Sequence, residues 1–196
     1  MPLSKRLLDI VIATIALIVL FPAMVVIAVL VKLTSKGPVF YRWEVLGREG
    51  NPFVGYKFRS MAVDADGRKR ELLHLNEMTG PVFKIKNDPR ITPVGRVTRK
   101  YSLDEFPQLW SVLKGDMSLV GPRPVGAHEW VHFGEWQRRK LSVTPGMICL
   151  WHVSGKPQDF DQWVKMDLEY IDAWSLGLDL KILLKGIGYI VLGKSC

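Results

Sequence analysis

Cysteine is close to absent: Cys149 and Cys196 are the two in 196 residues, far apart and in no metal-ligand spacing. That excludes a disulfide framework and suits a reducing compartment. Acidic residues are also short, 19 against 27 Lys and Arg, for a net charge of +8. A chain this basic implies an anionic partner: nucleic acid, anionic lipid or a phosphorylated metabolite. Glycine-rich nucleotide loops are missing, because Gly47-x-x-Gly50 and Gly186-x-Gly188 lack the strand-loop-helix setting of a phosphate cradle. No nucleic-acid reader motif accompanies the cations, so nucleic acid is not an expected partner. Internal repeats and low-complexity tracts are absent too.

Present in excess is apolarity near the N-terminus. Residues 7–31 are apolar or small apart from Asp9 and Thr14. As a helix this stretch reaches ~37 Å, enough for a bilayer core. It is too long for a signal peptide, and no small-x-small cleavage site follows. Lys5 and Arg6 precede it, and Lys32, Lys36 and Arg42 follow, which suits two ends on the cytoplasmic side. Pro22 lies near its middle, where proline removes a backbone donor and kinks or breaks a helix. The expectation is a re-entrant helix-hairpin over residues 1–36 that enters and leaves on one face, broken at Pro22. A kinked full span and a buried soluble helix are the alternatives. Asp9 is costly in lipid unless paired, with Lys5 or Arg6 in reach.

Residues 37–196 then form a second unit. Val39–Trp43 and Phe53–Phe58 read as strands around a turn at 47–52. Lys57 and Arg59 flank Phe58 there, at an exposed strand end or an anion contact. Residues 64–78 read as a charged, solvated helix. Gly, Pro, Asn and Asp punctuate 79–100, a loop carrying Lys84, Lys86, Arg90, Arg96, Arg99 and Lys100. Helices are expected near 127–142, 161–175 and 178–192, with a strand at 148–153. Tryptophans beside cations on these helices suit the lipid headgroup layer or else fill a core.

The chain is organised around Ser102 to Pro124. Ser102-x-x-Glu105 has the form of a capping box, though Pro107 shifts the helix start toward Phe106. Asp104 at that helix end would be favoured in its ionised form. An ionised carboxylate among cations can attack phosphorus, and a neighbouring Glu can help hold a hard divalent metal. The rigid Gly121-Pro122-Arg123-Pro124 corner adds one more cation. A charged substrate, most simply a phosphate with a divalent metal, fits this set.

Two rival readings come from the same residues. His128-Glu129-Trp130-Val131-His132 matches H-E-x-x-H, the zinc-protease helix pattern with Glu129 as base. No further motif supplies a third ligand, and His152 lies on an expected strand. A non-enzymatic membrane module that binds anions is the other.

Several motifs together resemble the bacterial sugar transferase family, the monotopic polyprenyl-phosphate phosphoglycosyl transferases. They are Lys5-Arg6-x-x-Asp9, Gly37-Pro38-Val39-Phe40, Lys57-Phe58-Arg59-Ser60-Met61, Asn87-Asp88-Pro89-Arg90 and the run Ser102 to Pro124. Pro145-Gly146, Leu150-Trp151, Val153-Ser154-Gly155 and Asp167-Leu168-x-Tyr170-Ile171 complete the match. The resemblance implies an α/β monotopic membrane enzyme with a re-entrant N-terminal helix, interfacial amphipathic helices and a small sheet. It implies transfer of sugar-1-phosphate from a UDP-sugar, glucose or galactose by family frequency, to undecaprenyl phosphate with release of UMP. Asp104 matches the nucleophile, and Glu105 its acidic neighbour. Mg²⁺ on Asp104 and Glu105 is the expected cofactor. Arg99 and Arg123 match phosphate-binding arginines, and Lys57 and Arg90 are expected beside them. UDP-sugar, undecaprenyl phosphate, membrane lipid and a second copy in a homodimer are the expected partners, at the cytoplasmic face of the bacterial inner membrane. The chain departs from the family at Phe21, usually Ser, at Trp43 and Val45, usually Gln and Arg, and at His152, usually Gln. It starts at the catalytic part, whereas longer relatives carry an extra N-terminal membrane region, so the expectation is either a short form or a trimmed piece of a longer chain.

Overall fold

The computed structural model describes residues 1–193; Cys196 lies outside them. Helix α1 (Leu3–Thr34) opens the chain. Strands β1 (Phe40–Leu46) and β2 (Pro52–Phe58) follow as an antiparallel hairpin. Helix α2 (Pro93–Lys100), helix α3 (Gln108–Lys114) and strands β3 (Ser118–Val120) and β4 (Val125–Gly126) come next. Two single turns, α4 (Ala127–Trp130) and α5 (Glu135–Arg138), lead to β5 (Gly146–Ile148). Helices α6 (Phe160–Asp172) and α7 (Leu176–Val191) close the described chain. The strands form two small sheets, β2-β1-β4 and a parallel β3-β5 pair. The protein is therefore a mixed helix-and-sheet structure with one long apolar N-terminal helix.

Several sequence expectations change here. The charged stretch 64–78 makes 3₁₀ turns over Gly67–Leu75 and buries none of their residues, because it has no apolar stripe to pack. Residues 93–100, expected as loop, form α2: Thr92 caps it by accepting from the Gly95 amide, and Pro93 stands in the first turn. The helix expected at 127–142 divides at Gly134, which caps α5. The strand expected at 148–153 stops at Ile148, and Leu150–Val153 is a 3₁₀ turn.

Pro22, the expected break, does not end the helix. α1 is one helical run of 32 residues with Pro22 inside it. Lys5, Asp9, Ala13, Ile27 and Val31 are its buried positions, on one stripe. Leu17, Leu20 and Met24 pack between them. The opposite face is bare: Leu7, Val11, Ile18, Phe21 and Val25 are all exposed. Among the described residues, α1 is the one helix long and apolar enough to cross a membrane.

Polar groups lock the start of α1 to the body. Lys5 Nζ pairs with Asp179 Oδ2 at 2.6 Å and donates to the Val120 carbonyl at 2.9 Å. Tyr170 donates to Asp179 Oδ1 at 2.6 Å, and the Trp174 indole to Oδ2 at 3.1 Å. Arg6 donates to the carbonyls of Val112 and Leu113, the negative end of α3. Asp9 accepts from the Leu119 amide at 3.1 Å. Asp9 was expected to pair with Lys5 or Arg6; it forms no ion pair with either among the described residues, and the three together tie α1 to α3, β3 and α7. The far end is held too. Ile27 and Val31 pack with Phe58, Val39, Val94 and Leu103, and Arg59 donates to the carbonyls of Ser35, Lys36 and Pro38.

The tryptophans divide between buried and exposed positions. Trp151 and Trp163 stack at 4.8 Å in a core with Phe133 and Phe160. Trp110 and Trp136 are exposed. Cys149 is buried as a free thiol in the same core.

Candidate active site

Asp104 sits in a one-turn 3₁₀ helix, Leu103–Glu105, that precedes α3. The capping box is not formed. Ser102 takes a left-handed conformation, φ 49°, without a side-chain cap, and Glu105 turns to Lys57 instead. Pro107 occupies the N-cap position of α3. A left-handed non-glycine residue costs on the order of 1 kcal/mol, strain held two residues from Asp104.

Asp104 is 7 % exposed. It forms no ion pair among the described residues; its side-chain partner is Ser60, whose hydroxyl lies 3.4 Å from Oδ2. Burial, then the neighbouring Glu105, push its pKa up to about 6, while Lys57 and Arg99 oppose the rise. The helix end was expected to favour the ionised form. A single 3₁₀ turn offers little dipole, so desolvation wins. Glu105 goes the other way. Burial acts to raise it, but Lys57, His152 and Arg123 together hold it down at about 2. Lys57 Nζ reaches Glu105 Oε1 at 2.6 Å and lies 4.9 Å from the Trp43 ring centre. The two adjacent carboxylates are therefore set apart: one poised, one firmly ionised.

The flanking cations are delivered by separate elements. Arg99 comes from α2, which sits hard against Ser60. A Cβ on Gly95 would come within 1.8 Å of the Ser60 carbonyl oxygen, so only glycine allows that approach. Thr92 also donates its amide to that carbonyl at 3.1 Å. Arg99 lies one turn beyond Gly95 on the same helix face, half-buried and within electrostatic reach of Asp104. Arg123 comes from the Gly-Pro-Arg-Pro corner. Its amide donates to buried Asp167 at 3.3 Å, and its guanidinium lies 4.5 Å from the Trp163 ring centre. Gly146 packs on Gly121 so closely that a Cβ would sit 2.0 Å from the Gly121 nitrogen, which sets the corner's position. Arg123 Nε is buried and finds no hydrogen-bond partner among the described residues.

The structure thus brings Asp104, Glu105, Lys57, Arg99 and Arg123 together. Arg90 is elsewhere engaged. It makes a two-point contact with Asp88, 2.9 Å from Nε and 2.6 Å from Nη2, and donates to the Ala65 carbonyl. Buried and engaged in this way, Arg90 is not among the groups that the structure brings to the carboxylate pair. Sequence reasoning missed Ser60, Gly95 and Asp167 as positioning residues. The Thr92-Pro93 start signal could have revealed α2, and with it Arg99's setting.

His152 also borders the site. It is held neutral by burial, with a pKa near 4 that Glu105 acts to raise and Arg123 to lower. The Cys149 amide donates to its Nδ1 at 3.2 Å, so the neutral ring carries its proton on Nε2. The zinc-protease pattern fails. α4 ends at Trp130, so His128 and His132 do not share a continuous helix. No cluster of three or more His, Cys, Asp or Glu able to hold a metal occurs among the described residues. Two adjacent carboxylates still fit Mg²⁺, which needs one or two such ligands and fills its remaining positions with water and substrate phosphate.

The chain is 45% identical over 97% of its length to galactosyl transferase CpsE of Streptococcus agalactiae serotype III, covering 43% of that protein. It is 44% identical over 92% of its length to the undecaprenyl-phosphate galactose phosphotransferase of Salmonella typhimurium, covering 39% of it. It is 40% identical over 91% of its length to the UDP-glucose:undecaprenyl-phosphate glucose-1-phosphate transferase of Klebsiella pneumoniae, covering 38%. The chain spans about two-fifths of the length of these relatives. The bacterial sugar transferase family profile matches residues 2–193, from the start of α1 past the end of α7. With the carboxylate pair, the three converging cations and α1 all inside that match, the chain belongs to the bacterial sugar transferase family.

Proposed function

We propose that this protein transfers a hexose-1-phosphate, of glucose or galactose, from a UDP-sugar to undecaprenyl phosphate and releases UMP. The carrying observation is Asp104: a buried carboxylate without an ion pair among the described residues, beside Arg99 and Arg123, which hold no ion pair there either. Such an arrangement is costly unless a multiply charged anion completes it. The relatives' names supply the substrate class, a UDP-hexose and undecaprenyl phosphate.

Arg99 and Arg123 engage the donor's diphosphate, and Lys57 holds Glu105 ionised beside it. Asp104, ionised, presents an oxygen to the phosphorus that carries the sugar. The new Oδ–P bond forms as the bond to the bridging oxygen breaks, and UMP leaves with that electron pair. An oxygen of the acceptor phosphate then attacks the same phosphorus. The Oδ–P bond breaks, the carboxylate is regained, and a polyprenyl diphosphate sugar departs. Ser60 steadies Asp104 through both steps. Mg²⁺, held by Asp104 and Glu105, would neutralise phosphate charge in the donor.

The setting follows from α1. Both of its ends are fastened to one body while its outer face stays bare and apolar. A helix held in this way supports a monotopic arrangement at the cytoplasmic face of the inner membrane, dipping into the bilayer without carrying the body through it. Single cysteines at Pro2 and Lys36 should both react with an impermeant maleimide from the cytoplasmic side alone. Labelling from opposite sides would require a full span.

The test of activity is UMP release by the purified protein with Mg²⁺, undecaprenyl phosphate and a panel of UDP-sugars. UMP formed with one hexose, together with a lipid-linked diphosphate sugar, is the expected result. A folded, lipid-bound protein that releases none with any UDP-sugar would remove the reading in favour of an anion-binding module.

A further inference from the structure

A cleft of about 80 Å³ lies beside the carboxylate pair. Its head is polar: Glu105, His152 and Lys156 line it. Its walls are apolar, with Met147 and Ile148 of β5 on one side and Ile190 of α7 on the other. α7 packs tightly at its base, since a Cβ on Gly186 would meet the Ile148 side chain at 2.8 Å. The same helix turns Leu180, Leu184, Ile187 and Val191 outward as an exposed apolar stripe. One wall of the cleft is therefore the inner side of a helix whose outer side suits lipid.

An occupant must place an anion at one end and hydrocarbon at the other. Glu105 does not repel it, because Lys57 already pairs with that carboxylate. His152 has its Nδ1 engaged by the Cys149 amide, which leaves Nε2 as the ring's donor for an oxygen. We propose that this cleft seats the acceptor: the phosphate of a polyprenyl monophosphate at His152 and Lys156, and its first isoprene units between Met147, Ile148 and Ile190. The inference rests on the proposed transferase reading. It separates the two substrates, with the diphosphate donor at Arg99 and Arg123 and the lipid acceptor entering along α7.

The test compares KM for undecaprenyl phosphate with KM for the UDP-sugar, in protein reconstituted into nanodiscs. Ile190→Trp fills the cleft, and Met147→Trp fills it from the opposite wall, so a folding defect in one leaves the other. Each should raise the acceptor KM at least about tenfold, the size of excluding a few methylenes, and leave the donor KM within about twofold. His152→Phe removes the donor and should raise the acceptor KM about tenfold, and His152→Gln less. An unchanged acceptor KM in both tryptophan variants, or a donor KM that rises in step, would overturn the assignment. Binding is read separately by photocrosslinking a diazirine-bearing polyprenyl phosphate. Labelling of β5 and α7, competed by undecaprenyl phosphate and not by phosphatidylglycerol, supports the cleft even if no UDP-sugar is turned over. Labelling confined to α1, or competed equally by phosphatidylglycerol, counts against it.

Discussion

Two buried charge clusters in this chain are built in opposite ways. Around Asp179, Lys5, Tyr170 and Trp174 all donate to the one carboxylate, and Lys5 also reaches a backbone carbonyl. Around Asp104, the carboxylate has a single long contact from Ser60, and Arg99 and Arg123 hold no ion pair among the described residues. The first cluster is saturated and fastens the long apolar helix α1 to the body. The second is left incomplete, with a proton affinity shifted toward neutrality, as a site that binds and transfers a charged group requires. Buried charge alone does not mark function; the unmet part of it does.

The largest effect should come from the incomplete cluster. Asp104→Asn replaces the proposed attacking carboxylate by a neutral amide and should abolish UMP release, by more than about 10³-fold, while cosedimentation with vesicles stays intact. Near-normal turnover would take Asp104 out of the chemistry.

Breaking the saturated cluster should act on stability instead. Asp179→Ala strands the Lys5 ammonium in the interior, at a cost of about 3–5 kcal/mol. The protein should melt far lower or fail to fold in detergent, and Lys5→Met with Asp179→Leu should recover much of the loss. Equal melting of Asp179→Ala and the parent would refute the structural role.

Gly95→Ala joins the two effects on a smaller scale. Its methyl cannot fit against the Ser60 carbonyl, so α2 must shift and carry Arg99 with it. A loss of about 1–3 kcal/mol is expected, with kcat falling more than thermal stability alone explains. An unaltered kcat would show that Arg99 need not be held so closely.

The smallest effect is a gain. Asp104 has its folded pKa raised to about 6, above its ordinary value of 3.8. Folded protein therefore holds a proton that unfolded protein has lost between those values, and stability falls as pH rises through that window. Asp104→Asn should raise the melting temperature by a few degrees at pH 8 and leave it unchanged at pH 3. A gain of the same size at both pH values would mean that charge burial is not the cause.

Much of the architecture was legible because its signals are local. The apolar run, the hairpin around residues 47–52, and helices α6 and α7 follow from periodicity and punctuation. Other elements were not. Residues 127–142 carry aromatic spacing that suggests one helix, yet Phe133 turns inward to meet Phe160 and Gly134 divides the segment. Pro22 has the chemistry of a helix break, yet the helical run continues past it, with Leu20 packed in one cluster and Met24 in another.

The sequence by itself determined the membrane-compatible helix, the basic balance and the carboxylate pair at 104 and 105, because composition, run length and adjacency need no third dimension. Only the tertiary structure decided which cations serve that pair. Lys57 reaches Glu105 across 48 positions, while Arg59 goes to backbone carbonyls, Arg90 to Asp88 and Lys140 to Asp167. A cation's role depends on the acceptor that folding buries beside it, and those acceptors lie on other elements, beyond the reach of any local pattern.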